Sequence, residues 1–193
     1  MQLDDERIRH ITELIVAEFD WDWLVETALR HGVIPLLHRS LARLAIGQVP
    51  RPVLDRLRLM AEAFRFRSLV MVQELNSVLR TLEQAGIAAV PYKGPALALY
   101  LFQDVALRQF SDIDLLVPPH DALMAKRIML TLGYVPRRAG SGFQDAAWVH
   151  VHYEFSFMAP QDRFVLDINW RIVERVWFFP EIPASFWSNM QWI

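Results

Sequence analysis

Ser111-Asp112-Ile113-Asp114-Leu115-Leu116-Val117 is the stretch on which the fold turns. Its aliphatic residues, closed by Pro118-Pro119, predict a buried strand over Ile113–Val117. In a strand, side chains at i and i+2 share a face, so Asp112 and Asp114 project together, roughly 6 to 7 Å apart. Two carboxylates this close repel each other unless a cation lies between them. Hard divalent cations take carboxylate oxygens together with substrate phosphates, so the pair is a candidate site for Mg²⁺ (or Mn²⁺). The competing reading is a turn in which Asp112 caps a neighbouring element and Asp114 is solvated.

Upstream, Ile87-Ala88-Ala89-Val90 predicts a short buried strand running into Pro91-Tyr92-Lys93-Gly94-Pro95. Pro95 suits the first position of a helix, with Ala96 to Phe102 as its body. A strand ending in lysine and glycine before a helix presents backbone N–H groups at a helix N-terminus, a natural anion site. Gly94 lets a phosphate approach the backbone closely, and Lys93 adds a full charge. The bland alternative is an ordinary turn with a surface lysine, although Lys93 and Lys126 are the only lysines in the chain. Arg108 precedes Asp112 closely enough to turn its planar fork on a phosphate, or else to form a structural ion pair with an aspartate.

Downstream, Asp121 to Leu132 predicts a helix ending at Gly133, followed by strand candidates over Ala147–Phe157 and Arg163–Arg171. Within Phe164-Val165-Leu166-Asp167-Ile168-Asn169-Trp170, Asp167 interrupts an apolar strand. An unpaired buried carboxylate costs several kcal/mol, so Asp167 calls for a cation or a hydrogen-bond partner. A neighbouring strand would set it beside Asp112 and Asp114, and three carboxylates can hold two metals roughly 3.5 to 4 Å apart. An edge-strand aspartate facing water is the alternative. His150, His152 and Glu154 alternate and so share one face of the first strand candidate. That pattern is either a zinc site or the wet face of a strand whose Val149, Val151, Tyr153 and Phe155 face the core.

The first half reads as helices. Ile8, Ile11, Leu14 and Ile15, then Leu24, Ala28 and Leu29, recur at steps of three and four. Asp20 or Asp22 caps the second of these helices and Gly32 ends it. A short helix over Pro35–Leu44 stops near Gly47, and one long helix, or two nearly continuous ones, runs from Pro52 to about Ala85 before Gly86. The order is helices, then β-α-β-α-β-β, which predicts an α/β (α+β) fold: a helical N-terminal subdomain over residues 1–85 and a small mixed sheet over 86–193.

Composition removes several function classes. The chain has 193 residues, of which 53% are hydrophobic and 22% charged, enough for a sizeable core. With no cysteine there are neither disulfides nor thiolate metal sites, and a reducing cytoplasm is the expected compartment. A net charge of −2 argues against extended nucleic-acid binding. No apolar run approaches the roughly 20 residues that span a bilayer, so no membrane partner is expected. Trp177, Phe178, Phe179, Phe186, Trp187, Met190, Trp192 and Ile193 crowd the C-terminus. Such apolar density calls for burial by the sheet, by a further segment of chain or by a partner.

Lys93-Gly94-Pro95-Ala96-Leu97, Leu107-Arg108, the Ser111–Val117 block and Leu166-Asp167-Ile168-Asn169-Trp170 together resemble the polymerase-β-like nucleotidyltransferase superfamily, in particular its group of largely uncharacterised bacterial nucleotidyltransferases. Trp23 to Leu37, with Ala28, His31, Gly32, Val33 and Pro35, is similar to the N-terminal region of that group. Asn169 stands where the group has a histidine. Members are usually longer, with helices after the third aspartate. The resemblance implies metal-dependent transfer of a nucleoside monophosphate from a nucleoside triphosphate to an acceptor that the sequence leaves unidentified. By the same resemblance Asp112, Asp114 and Asp167 bind the metals, Asp167 also being a candidate base for the acceptor hydroxyl. Lys93, Gly94, Arg108 and Ser111 face the nucleotide. The alternatives are a nucleotide-binding or interaction module without catalysis, and a metal-dependent phosphohydrolase.

Overall fold

The computed structural model describes residues 9–11, 13–14, 19–44, 49–138, 140, 142–172 and 182–188. The expectations for Ile8, Ile15, Gly47, Trp177, Phe178, Phe179, Met190, Trp192 and Ile193 lie outside them. The chain forms two compact units, one of residues 1–70 with 98–110, the other of 71–97 with 111–193.

The first unit is helical. Helix α1 covers Trp21–Arg30 and α2 covers Ile34–Leu44. The Asp20 carboxylate accepts from the Trp23 amide at 2.9 Å and so caps α1. Gly32, at φ +69°, provides the left-handed turn that lets the Val33 amide reach the Ala28 carbonyl at 2.9 Å. Helix α3 is a single helix over Arg51–Gln84. Its first part contributes Leu57 to a core with Val25, Ala28, Ile34, Leu41 and Val49.

In the second unit, the later part of α3 buries Met71, Leu75, Val78 and Leu82, a spacing that keeps one helical face inward. Gly86, at φ +75°, ends it. The strands are β1 (Val90–Pro91), β2 (Asp112–Leu116), β3 (Val135–Pro136), β4 (Glu154–Met158) and β5 (Val165–Asn169), with helices α4 (Gly94–Phe102), α5 (Ala122–Thr131), α6 (Gly142–Val151) and α7 (Ala184–Ser188). The sheet order is β1-β2-β5-β4-β3. β2 and β5 run parallel, and the other pairs are antiparallel, so the sheet is mixed and the α+β expectation holds. Ile113, Leu115, Leu166, Ile168 and Phe157 are fully buried on one sheet face. Helix α5 packs against β5 and buries Ala122, Ala125 and Met129.

Two sequence expectations are corrected. Residues 147–157 are not one strand: α6 runs to Val151, and only Glu154–Met158 joins the sheet. His150 therefore lies on a helix and does not share a strand face with Glu154. The helix end is fixed by tertiary contacts, since the Trp170 indole donates to the carbonyls of Val149 (3.0 Å) and His152 (2.8 Å). The Trp148 and His152 rings also stack at 3.3 Å across one helical turn. Ile87–Ala89 likewise forms no ladder, although Ile87 and Ala89 are buried; pairing is confined to Val90↔Leu116 and Pro91↔Leu115. Beyond Leu116, the Val117 amide turns to the Asn169 carbonyl at 2.8 Å instead.

Candidate active site

The parallel register sets Asp112 opposite Val165, Asp114 opposite Asp167 and Leu116 opposite Asn169. Register partners on neighbouring strands point to the same sheet face, as do residues two apart. Asp112, Asp114 and Asp167 thus share one face, opposite the apolar layer of Ile113, Leu115, Leu166 and Ile168. β4 adds Ser156, the register partner of Asp167, and Glu154, the partner of Asn169, to that face.

The carboxylates sit in different surroundings. Asp114 is 5% exposed, and the Lys93 ammonium lies 3.3 Å from its Oδ1 while remaining half in solvent. Burial works against the lysine charge, but the Asp114 carboxylate and then Tyr92 outweigh it and hold Lys93 above its ordinary range. The Lys93 ammonium also lies 4.9 Å from the centre of the Tyr92 ring. Burial is the main force raising the Asp167 acid above the ordinary carboxylate range. A hydrogen bond from Ser156 opposes it, and the charges of Asp114 and Asp112 reinforce it. Asp167 Oδ1 is buried with no hydrogen-bond partner among the described residues.

Gly94 has φ +48°, and a Cβ there would meet the Asp112 carbonyl oxygen at 2.8 Å. The glycine therefore presses the Lys93-Gly94 turn against the start of β2, a packing demand that sequence reasoning, looking only for phosphate access, missed. The N–H groups expected at the start of α4 are also fewer than the sequence suggested. Pro95 has none, and Ala96 and Leu97 donate to the Lys93 carbonyl at 3.1 and 3.4 Å. Ser111 is exposed beside Asp112. Arg108 follows a 3₁₀ turn over Val105–Leu107 and belongs to the first unit.

Asn169 is 1% exposed. Its amide nitrogen donates to the carbonyls of Leu115 (3.4 Å) and Asp167 (3.3 Å). It is spent on backbone, cross-linking the two acid-bearing strands. Trp170 is buried beside it, its backbone N–H bonded to the Tyr153 carbonyl at 2.9 Å.

Among the described residues, no three His, Cys, Asp or Glu side chains converge closely enough to hold a metal ion by themselves. The donor chemistry nevertheless fits Mg²⁺, which is commonly held by one or two carboxylates together with substrate phosphates. Among the described residues Asp167 Oδ1 is a buried acceptor without a donor, and Asp112 and Asp114 share its sheet face.

The mixed sheet raises two carboxylates of one strand and one of its parallel neighbour to a single face, beside a Lys-Gly turn, an architecture consistent with a nucleotidyltransferase-type fold. A family model described as uncharacterised nucleotidyltransferase matches residues 17–192, and the chain belongs to that family. No curated protein and no solved structure matches the chain. No helix among the described residues is long and apolar enough to cross a membrane.

Proposed function

We propose that the chain transfers a nucleoside monophosphate from a nucleoside triphosphate to an acceptor hydroxyl, with Mg²⁺ or Mn²⁺ as cofactor. The observation that carries the reading is the alignment of Asp114 with Asp167, together with the unsatisfied buried Oδ1 of Asp167. Asp112, Asp114 and Asp167 are the residues that would hold the metal. Bound there, the cation would neutralise charge developing on the triphosphate. Lys93 supplies a positive charge at the edge of the acidic face and binds the triphosphate oxygens, exchanging Asp114 for phosphate as nucleotide enters. Gly94 keeps the Lys93 turn seated on β2. Asp167, in its ionised form, accepts the proton of the attacking hydroxyl.

Incubation with each α-labelled triphosphate, Mg²⁺ or Mn²⁺ and cell extract, with the labelled product identified, tests the reading. Label should pass to an acceptor with the parent and not with Asp114→Asn. Nucleotide binding without transfer from any triphosphate would favour a binding module that has lost catalysis.

A further inference from the structure

A cavity of about 350 Å³ opens in the second unit beside β4, beyond the point where β3 stops. Lys126, Arg137, Arg138, Trp148, Glu154 and Ser156 line it. It meets the acidic face at Glu154 and Ser156, with Arg137 nearby. Ser156 is the register partner of Asp167, and Arg137, whose amide bonds the Ser156 carbonyl at 2.9 Å, lies close enough for its charge to act on Asp167.

The walls define what the cavity takes. Lys126 is matched by Asp145 at 2.6 Å, both side chains being under a tenth exposed. That leaves Arg137 and Arg138 against Glu154, a net positive lining. Neither arginine forms an ion pair with a carboxylate among the described residues. Trp148 offers no stacking platform. The Arg138 guanidinium lies 3.7 Å from its ring centre and the His152 ring 3.3 Å; at those distances the two must occupy opposite faces. Neither face of the Trp148 ring is therefore free for a nucleobase, whereas an oxyanion finds planar, multi-donor cations suited to it beside the apolar wall of Pro136, Phe155 and Phe157. The volume is at the small end of ligand pockets, roughly 300 to 1,000 Å³, which favours a small molecule over a macromolecular surface.

We propose that this cavity is the acceptor subsite, and that it takes a small alcohol bearing a phosphate or carboxylate, gripped by Arg137 and Arg138 with its hydroxyl turned to Asp167. This rests on the nucleotidyl-transfer reading. In the reaction the acceptor oxygen bonds to the α-phosphorus of the triphosphate, and the bond from that phosphorus to the β-bridging oxygen breaks. Pyrophosphate leaves with the electron pair, and the hydroxyl proton passes to Asp167.

The subsite is tested on the full chain without nucleotide, by calorimetry and ligand-observed NMR with glycerol 3-phosphate, glycerate and glycerol. At least one of the two anions should bind about tenfold or more tightly than glycerol, equivalent to roughly 1.4 kcal/mol, and the one that does identifies the oxyanion. Arg137→Gln, at an exposed position, should weaken that binding at least about tenfold while Lys93→Ala leaves it in place. Glycerol binding as well as both anions, binding of neither anion, or an affinity untouched by Arg137→Gln overturns the proposal. Loss in Lys93→Ala alone would put the anion at the triphosphate position and overturn it too. Because these measurements need neither metal nor triphosphate, they succeed or fail independently of the transfer assay.

Discussion

Asp114 and Asp167 are direct partners across the parallel pair of β2 and β5, yet their charges are handled differently. Asp114 has the Lys93 ammonium at 3.3 Å, whereas Asp167 is raised by burial and by its acidic neighbours.

The Lys93–Asp114 pair is testable as a coupling. Repulsion among three aspartates would by itself make Asp114→Asn neutral or stabilising in the unloaded protein. The ion pair reverses that sign. Asp114→Asn and Lys93→Ala should each cost about 1 kcal/mol, discounted because the lysine is half in solvent. The double variant should cost less than the sum, a coupling of roughly 0.5 to 1 kcal/mol. Urea unfolding of the four proteins measures it; strict additivity contradicts the pair.

Gly94→Ala should be destabilising by at least about 1 to 2 kcal/mol, the usual penalty for a side chain in the left-handed region. Contact of the new methyl with the Asp112 carbonyl, 2.8 Å away, adds to it. Chemical denaturation checks this, and a midpoint equal to the parent's would contradict the close approach.

Most of the fold and the position of the acids were legible in the sequence. The Asp20 cap, the Gly32 and Gly86 stops and the strand through Ile113 follow from local chemistry that tertiary packing did not override. Helix α6 was not legible. Val149 and Val151 alternating with His150 and His152 carry a period of two, and the contacts that hold them helical come from Trp170, distant in sequence. The faces of Asp112 and Asp114 followed from spacing, but the alignment of Asp167 with Asp114 depends on strand order and register. The Lys93–Asp114 contact and the arginine-lined cavity depend on side-chain placement that no spacing rule supplies.

Tyr134 gives a pH signature away from the site. Its hydroxyl donates to Glu74 at 2.7 Å. Burial, that hydrogen bond and the Glu74 charge raise its pKa far above the ordinary 10.0, against the opposing charge of Arg163. A group raised on folding holds its proton more tightly in the folded state. Its contribution is therefore complete below the unfolded value and is lost as pH rises above about 10. The parent should lose stability steeply in that range. Tyr134→Phe should show a shallower loss and, at neutral pH, be less stable by roughly 1 to 2 kcal/mol. Parallel slopes above pH 10 would contradict the assignment.

The central claim, that Asp167 completes a cation-dependent nucleotide site, is tested most directly by thermal melts of the parent and Asp167→Asn with and without Mg²⁺ and nucleoside triphosphate. Removing a half-buried charge that shares a sheet face with Asp112 and Asp114 should leave the unloaded variant as stable as the parent or more so. Ligand that binds only the folded state should stabilise the parent by about 2.7 kcal/mol at one hundred times its dissociation constant, and the variant should lose most of that gain. A parent whose melting temperature ignores Mg²⁺-nucleotide, with an Asp167→Asn variant that melts clearly lower, would contradict the claim and leave Asp167 a structural residue.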